Sequence, residues 1–461
     1  LLSVKDIQTV YFIGIGGIGM SALARYFHSL GKHVSGYDKT PTPLTRQLEE
    51  EGISIHYEEN LELIPRQAEL VVFTPAVPAT HAELVFYREG GYTVMKRSEV
   101  LGVISNSSFN ICIGGTHGKT TTTSMTAHLL RHSGYGCNAF LGGIAVNYQT
   151  NFWSDSRNVA VIEADEYDRS FLRLYPDIAV ITSMDPDHLD IYGTEEALQE
   201  AFVDFSKRLK PGGTLFSKHG LPKAMALKAD HHFTYSLQND AADVYATDIT
   251  MHDGSYHFSV VVAGERLDGF VLHMGGMHNV ENAVVSIAIA NQLGISLEKI
   301  RAAVEAFRGV KRRFEYVIKN REMVFVDDYA HHPEELRALI NGAKTLFPGR
   351  KCTVIFQPHL YSRTRDLAAG FSESLNLADE VILLPVYPAR ELPIEGVSSE
   401  LISAAMEPGK VVVVEKDHLL NYLRENYIPA VNQEFGALLI TAGAGDIDTL
   451  VNPVKMLLES K

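Results

Sequence analysis

The sequence predicts an α/β protein of three domains: a Rossmann-like N-terminal domain, a central P-loop ATPase-like parallel sheet with an antiparallel appendage, and a Rossmann-like C-terminal domain. Three observations carry this expectation. Short β-branched runs alternate with helix-period segments along nearly the whole chain, the pattern of parallel sheets covered by helices. Two strand-like runs lead into glycine-rich loops that open helices. The chain has 461 residues, where a single core serves roughly 100–200.

The first domain is expected over residues 1–107. Thr9-Val10-Tyr11-Phe12-Ile13 reads as a strand, Met20 to Leu30 as a helix, and His33-Val34-Ser35-Gly36-Tyr37 as a second strand. Leu70-Val71-Val72-Phe73 is another, ending at Thr74-Pro75. Gly14-Ile15-Gly16-Gly17-Ile18-Gly19, before Met20, forms a G-x-G-x-x-G loop between strand and helix. Asp38 ends the second strand, about 20 residues on, where a carboxylate reaches a ribose hydroxyl. Such a loop cradles any diphosphate, so these residues alone leave NAD and a nucleotide sugar both open.

The second domain, 108–312, opens with the strand Phe109 to Ile113 and the loop Gly114-Gly115-Thr116-His117-Gly118-Lys119-Thr120-Thr121. Glycines let successive N–H groups face phosphate oxygens, Lys119 reaches the terminal phosphates and Thr120 ligates Mg²⁺. Gly114 precedes Gly118 by four positions, one fewer than in the usual P-loop. Two further strands end in polar segments. Glu163-Ala164-Asp165-Glu166-Tyr167-Asp168 is either a metal-holding or a solvated acidic loop, and Asp185-Pro186-Asp187-His188 offers His188 as a second ligand. The alternation over Asp243 to Leu272 predicts the antiparallel appendage. Asn279 and Asn282 share one face near a helix start, suited to a nucleobase or to capping. Arg312 and Arg313 stand at the hinge.

The third domain, 313–461, has strands at Val324–Val326, Thr353–Phe356, Val381–Leu384, Val411–Val414 and Leu438–Ile440. Asp327-Asp328-Tyr329-Ala330-His331-His332-Pro333 follows the first, Gln357-Pro358-His359-Leu360-Tyr361-Ser362-Arg363-Thr364-Arg365 the second, and Gly443-Ala444-Gly445-Asp446 the last. All lie at strand ends and are expected to converge on one crevice, where arginine suits a carboxylate substrate.

The formal net charge of −15 argues against a nucleic-acid face. Three cysteines make no disulfide framework; Cys112 and Cys352 lie in apolar runs and read as buried thiols. No apolar run approaches the ~20 residues that span a bilayer, and the start shows no signal pattern, so a cytoplasmic protein without a membrane partner is expected.

Taken in order, Gly14 to Met20, Gly115-Thr116-His117-Gly118-Lys119-Thr120-Thr121-Thr122, Glu163 to Glu166, Asp187-His188-Leu189-Asp190, His278-Asn279, Arg313-Phe314-Glu315, Asp328 to Pro333 and Ala444-Gly445-Asp446-Ile447 resemble the Mur ligase family over nearly the whole chain. The short P-loop spacing is the family's own. The resemblance is strongest to members that join L-alanine to the lactyl carboxylate of UDP-N-acetylmuramate with ATP and Mg²⁺, through an acyl phosphate, in peptidoglycan precursor synthesis. It implies that Gly14, Gly16, Gly17, Gly19, Met20, Asp38 and Thr74 hold the UDP-sugar. Gly114 to Thr121 with Asn279, Asn282 and Arg313 would bind ATP, and Thr120, Glu163 and His188 the metal. Asp328, Tyr329, His331, His359 and Arg363 would line the alanine and carboxylate region, with His331 assisting amine deprotonation and Lys119, Glu163 and His188 serving catalysis. Leu360 stands where many relatives carry Arg, which brings in Arg365. Lys207 and Lys210 lie near the place where sibling ligases carry a carbamylated lysine. A monomer or weak homodimer is expected. The alternatives are a recycling ligase that joins a whole peptide to the same sugar nucleotide and, more remotely, an NAD-dependent oxidoreductase.

Overall fold

The computed structural model describes residues 4, 6–186, 189–389, 391–428 and 435–460, with the backbone alone for Asp168, Leu189 and Asp190. Its strands form three sheets. The first contains β1 (Thr9–Ile13), β2 (His33–Tyr37), β3 (Ser54–His56), β4 (Leu70–Phe73) and β5 (Val94–Lys96) in the order β3-β2-β1-β4-β5, with every pair parallel. Val10 to Ile13 are buried throughout, as a central strand covered on both faces requires. The strand order reverses between β1 and β4, which opens a crevice at their carboxyl ends beside the glycine loop. The following helix, Ile18–Ser29, starts two residues before the expected Met20, because extended Gly17 caps it.

The second sheet contains β6 (Phe109–Gly114), β7 (Asn138–Ala145), β8 (Thr150–Trp153), β9 (Val159–Ala164), β10 (Ile178–Ile181), β11 (Thr214–Lys218) and β12 (His231–Ser236). It continues into β13 (Val244–His252), β14 (Ser255–Val262) and β15 (Glu265–Leu272). Its order is β15-β14-β13-β12-β11-β10-β6-β9-β7-β8. Because β6 pairs in parallel with both β9 and β10, the segments leaving all three emerge side by side. The turns Asp253-Gly254 and Ala263-Gly264 have positive φ at both residues (47° and 66°; 48° and 88°), the geometry of tight hairpins. They form the expected antiparallel appendage. A second antiparallel pair, β7 with β8, was not expected from sequence, because Gly142 and Gly143 blur the alternation.

The third sheet contains β16 (Glu315–Lys319), β17 (Met323–Asp328), β18 (Lys351–Phe356), β19 (Glu380–Leu383), β20 (Val411–Val413) and β21 (Ala437–Ala442), ordered β16-β17-β21-β18-β19-β20. Only β16 runs antiparallel among its described pairings; it is a short edge strand of mixed character, for which the sequence gives little signal. The central neighbours β17, β21 and β18 are those whose carboxyl ends carry the Asp328, Gly443 and His359 loops.

The chain packs as two compact units. One comprises residues 1–247, 259–269 and 281–306; the other comprises 248–258, 270–280 and 307–461. The first encloses an apolar cluster that includes Phe12, Phe27, Cys112, Ile162, Phe202 and Phe205, and the second one around Phe325, Ile355, Leu439 and Leu458. Cys112, Cys137 and Cys352 are free and buried.

Candidate active site

In the first unit the P-loop is built on glycine geometry. Gly115 and Gly118 have φ of 135° and 79°, where a side chain would be strained. A Cβ on Gly115 would also overlap the Thr182 hydroxyl at the end of β10. That neighbouring segment sets the loop's shape: the Ser183 hydroxyl accepts from His117 N–H at 2.7 Å and bonds the Thr116 hydroxyl at 2.9 Å. The His117 ring is exposed, 3.7 Å from Asp185. The helix Lys119–His132 then begins with Lys119, Thr120 and the buried Thr121 at its positive end.

Within the acidic loop Glu163 and Glu166 are engaged by the protein, while Tyr167 is exposed. The Glu163 carboxylate accepts from the Thr120 hydroxyl at 2.9 Å and from Gly142 N–H at 2.8 Å. Burial raises its pKa, opposed by nearby Lys119 and the Thr120 hydroxyl. Glu166 pairs with Lys119 at 2.7 Å. Thr120 and Glu163 are hard oxygen donors placed together at a helix N-terminus, and they fit a divalent cation such as Mg²⁺. His188 lies outside the described residues.

A cavity of about 320 Å³ opens beside them, lined by Gly17, Gly19, Met20, Thr74, Arg97 and Glu163 among others. Arg97 reaches toward Asp165 at 3.7 Å and packs on Gly19, where a Cβ would come within 2.8 Å of its guanidinium. Glu163 therefore belongs to both the cavity wall and the P-loop. Thr74 also sits against Gly14, and Asp38 accepts from Gly16 N–H at 2.7 Å. Asp38 thus also braces the loop.

Asn282 accepts from the Thr122 hydroxyl at 3.1 Å and lies against Gly118, so it flanks the phosphate loop. Asn279, in the second unit, donates to Gly275 O at 2.6 Å and secures the start of its own helix.

The second unit gathers most of the remaining candidates. Tyr329 and His331 rings meet edge-on at 5.2 Å, the His331 and His359 rings are 6.3 Å apart, and His359 stacks on Tyr387 at 5.7 Å. Arg363 approaches His359 Nδ1 at 3.4 Å, and the Arg312 and Arg313 guanidiniums lie 5.1 and 5.4 Å from the Tyr329 ring centre. Burial lowers the His331 pKa, so its ring is neutral near pH 7, while Nδ1 faces Tyr329 O at 2.9 Å. Leu360 has φ of +71° and donates its N–H to Tyr387 O at 2.9 Å, which anchors the turn between His359 and the helix Tyr361–Leu375. Asp328 is held by backbone donors and interacts electrostatically with Arg313. Its carboxylate accepts from Phe314 and Ala330 N–H, both at 2.7 Å, and organises the two loops.

Comparison with known proteins gives three matches in order: "Mur ligase family, catalytic domain" over residues 9–108, "Mur ligase middle domain" over 113–290 and "Mur ligase, glutamate ligase domain" over 312–445. A UDP-N-acetylmuramate–L-alanine ligase of Porphyromonas gingivalis is 48% identical across 98% of this chain and 99% of its own. The chain belongs to the Mur ligase family. A ligase of the same name from Cytophaga hutchinsonii is 45% identical, covering 100% of this chain and 99% of its own. The crystal structure of UDP-N-acetylmuramate-alanine ligase MurC from Thermotoga maritima superposes with a TM-score of 0.82 at 29% identity, covering 98% of this chain and 100% of that one.

Membership of the Mur ligase family sets the oxidoreductase reading of the glycine loop aside. Arg97, Gly142 and the Lys119–Glu166 pairing were not singled out from sequence. Arg97 had one available signal, since it directly follows β5 at the same carboxyl edge as the glycine loop. The two lysines weighed for carbamylation are paired elsewhere, Lys207 with Asp204 and Lys210 with Asp177, both at 2.8 Å. Arg365 pairs with its neighbour Asp366 at 2.7 Å.

Proposed function

We propose that this chain joins L-alanine to the lactyl carboxylate of UDP-N-acetylmuramate, cleaving ATP to ADP and phosphate in the cytoplasm. The observation that carries the reading is Glu163, a single carboxylate shared by the P-loop and the cavity of the UDP-type glycine loop. A phosphate on one side and a carboxylate on the other would meet there. The full-length similarity to alanine-adding ligases supports the choice of substrates. No helix among the described residues is long and apolar enough to cross a membrane.

In this reading, a lactyl carboxylate oxygen attacks the γ-phosphorus, the bond to the β-phosphate oxygen breaks, and ADP leaves an acyl phosphate. The P-loop N–H groups and Lys119 hold and neutralise the phosphates, which is most of what phosphoryl transfer requires. Mg²⁺ held by Thr120 and Glu163, with His188 expected from sequence, would supply further charge neutralisation. Arg97 and the glycine loop orient the sugar diphosphate. Alanine's neutral amine then attacks the acyl carbon, phosphate departs, and the nitrogen loses a proton. In this reading His331, whose pKa is lowered by burial, takes that proton, and Arg363 holds the amino acid's carboxylate.

The test is a coupled assay on the purified protein. ADP and phosphate should appear with UDP-N-acetylmuramate and L-alanine together, and Lys119→Ala should abolish turnover. A tripeptide used far better than L-alanine, or full turnover by Lys119→Ala, would overturn the reading.

A further inference from the structure

Glu166 follows Asp165 on the turn after β9, and its side chain is fully buried. Lys119 Nζ lies 2.8 and 2.7 Å from its two oxygens and 2.6 Å from the Gly115 carbonyl. An ammonium has three N–H donors; here Glu166 Oε1 and the Gly115 carbonyl accept hydrogen bonds from it, and Glu166 Oε2 lies at ion-pair distance. Glu166 is itself anchored. Its backbone carbonyl accepts from the Tyr192 hydroxyl at 2.6 Å and from Arg169 N–H at 2.9 Å, at the start of the tight turn Tyr167–Arg173. Lys119 is anchored too, as the first residue of the P-loop helix. The protons that face Glu166 and Gly115 cannot at the same time face a phosphate.

We propose that Glu166 is a positioning residue that holds the P-loop lysine withdrawn, so that nucleotide enters by exchange of the Lys119 ammonium from this carboxylate to phosphate. The proposal rests on the reading of the P-loop as the nucleotide site. The exchange is costly because it strips a buried carboxylate of its cation, and parting a buried ion pair is strongly unfavourable. Nucleotide affinity is therefore set below what the loop alone would give. Removing the charge at residue 166 removes that opposition while leaving the lysine in place.

The experiment is calorimetric titration of the full-length protein and its Glu166→Gln variant with magnesium and either ADP or the non-hydrolysable analogue AMP-PNP. Glu166→Gln should bind AMP-PNP about tenfold more tightly than the parent protein, and KM for ATP should fall without a rise in kcat. A purely structural role would lower the melting temperature and leave both constants unchanged. Unchanged or weaker binding by folded Glu166→Gln overturns the proposal. Glu166→Asp, which keeps the charge but shortens its reach, should bind AMP-PNP more tightly than the parent and less tightly than Glu166→Gln. If the glutamine variant does not fold, tighter binding by Glu166→Asp supports the exchange, and equal or weaker binding overturns it. A parent protein that binds neither nucleotide overturns the nucleotide reading as well, whereas binding indifferent to residue 166 overturns the exchange alone.

Discussion

Asp327, the penultimate residue of β17, has its side chain 2% exposed, 2.6 Å from the Thr441 hydroxyl and 3.5 Å from Arg312 Nε. Burial pushes its pKa to about 7, offset in part by Thr441 and Arg312. In an unfolded chain the same group titrates near ~3.9. Between those values the folded protein holds a proton that the unfolded chain has released. The associated stability is complete below about pH 4 and is lost as pH rises through about 7. Asp327→Asn is uncharged throughout. Its unfolding free energy, from denaturant titration, should rise relative to the parent's on moving from pH 5 to pH 8.5, by on the order of 1–3 kcal/mol. A constant offset between the two proteins across that range would show that Asp327 is ionised in the folded state.

At the scale of the element, parallel strand order decides which side chains become neighbours. β6 lies between β9 and β10, so the P-loop, Glu163 and Ser183 meet although they are far apart in sequence. β7 adds Gly142 beside β9, where its N–H holds the Glu163 carboxylate. A Cβ at Gly142 would overlap that carboxylate. Because the obstructed group is the free end of a side chain, Gly142→Ala should fold normally while Glu163 turns away from Thr120. We expect kcat to fall at least tenfold, with a melting temperature within a few degrees of the parent's; unimpaired kcat would mean that Glu163 needs no such placement. This also marks what the sequence could reveal. The two glycine loops were legible because their signal is local, a strand, a turn and a helix in immediate succession. Gly142 and the Lys119–Glu166 pair depend on sheet order, which local patterns do not encode. The bond from Gly16 N–H to Asp38, the residue whose position pointed to a ribose contact, is likewise one that local patterns do not encode.

For the whole molecule, the candidate groups for the two half-reactions fall largely in different compact units. Lys119, Thr120, Glu163, Arg97 and the glycine loop belong to the first, and Tyr329, His331, His359 and Arg363 to the second. Activation of a carboxylate by ATP draws mainly on the former, and capture of the amine on the latter. Arg363→Ala should therefore damage only the second half. KM for L-alanine should rise about 100-fold, as expected on losing a charge-assisted contact to a carboxylate. Positional isotope exchange of the β,γ-bridging oxygen of ATP into the β-nonbridging positions, in the presence of UDP-N-acetylmuramate and without alanine, should persist near the parent rate, because it reports reversible acyl phosphate formation. The corresponding Lys119→Ala protein should lose that exchange together with overall ligation. Loss of exchange in folded Arg363→Ala would mean that the second unit is required to form the acyl phosphate, and the division of labour would have to be abandoned.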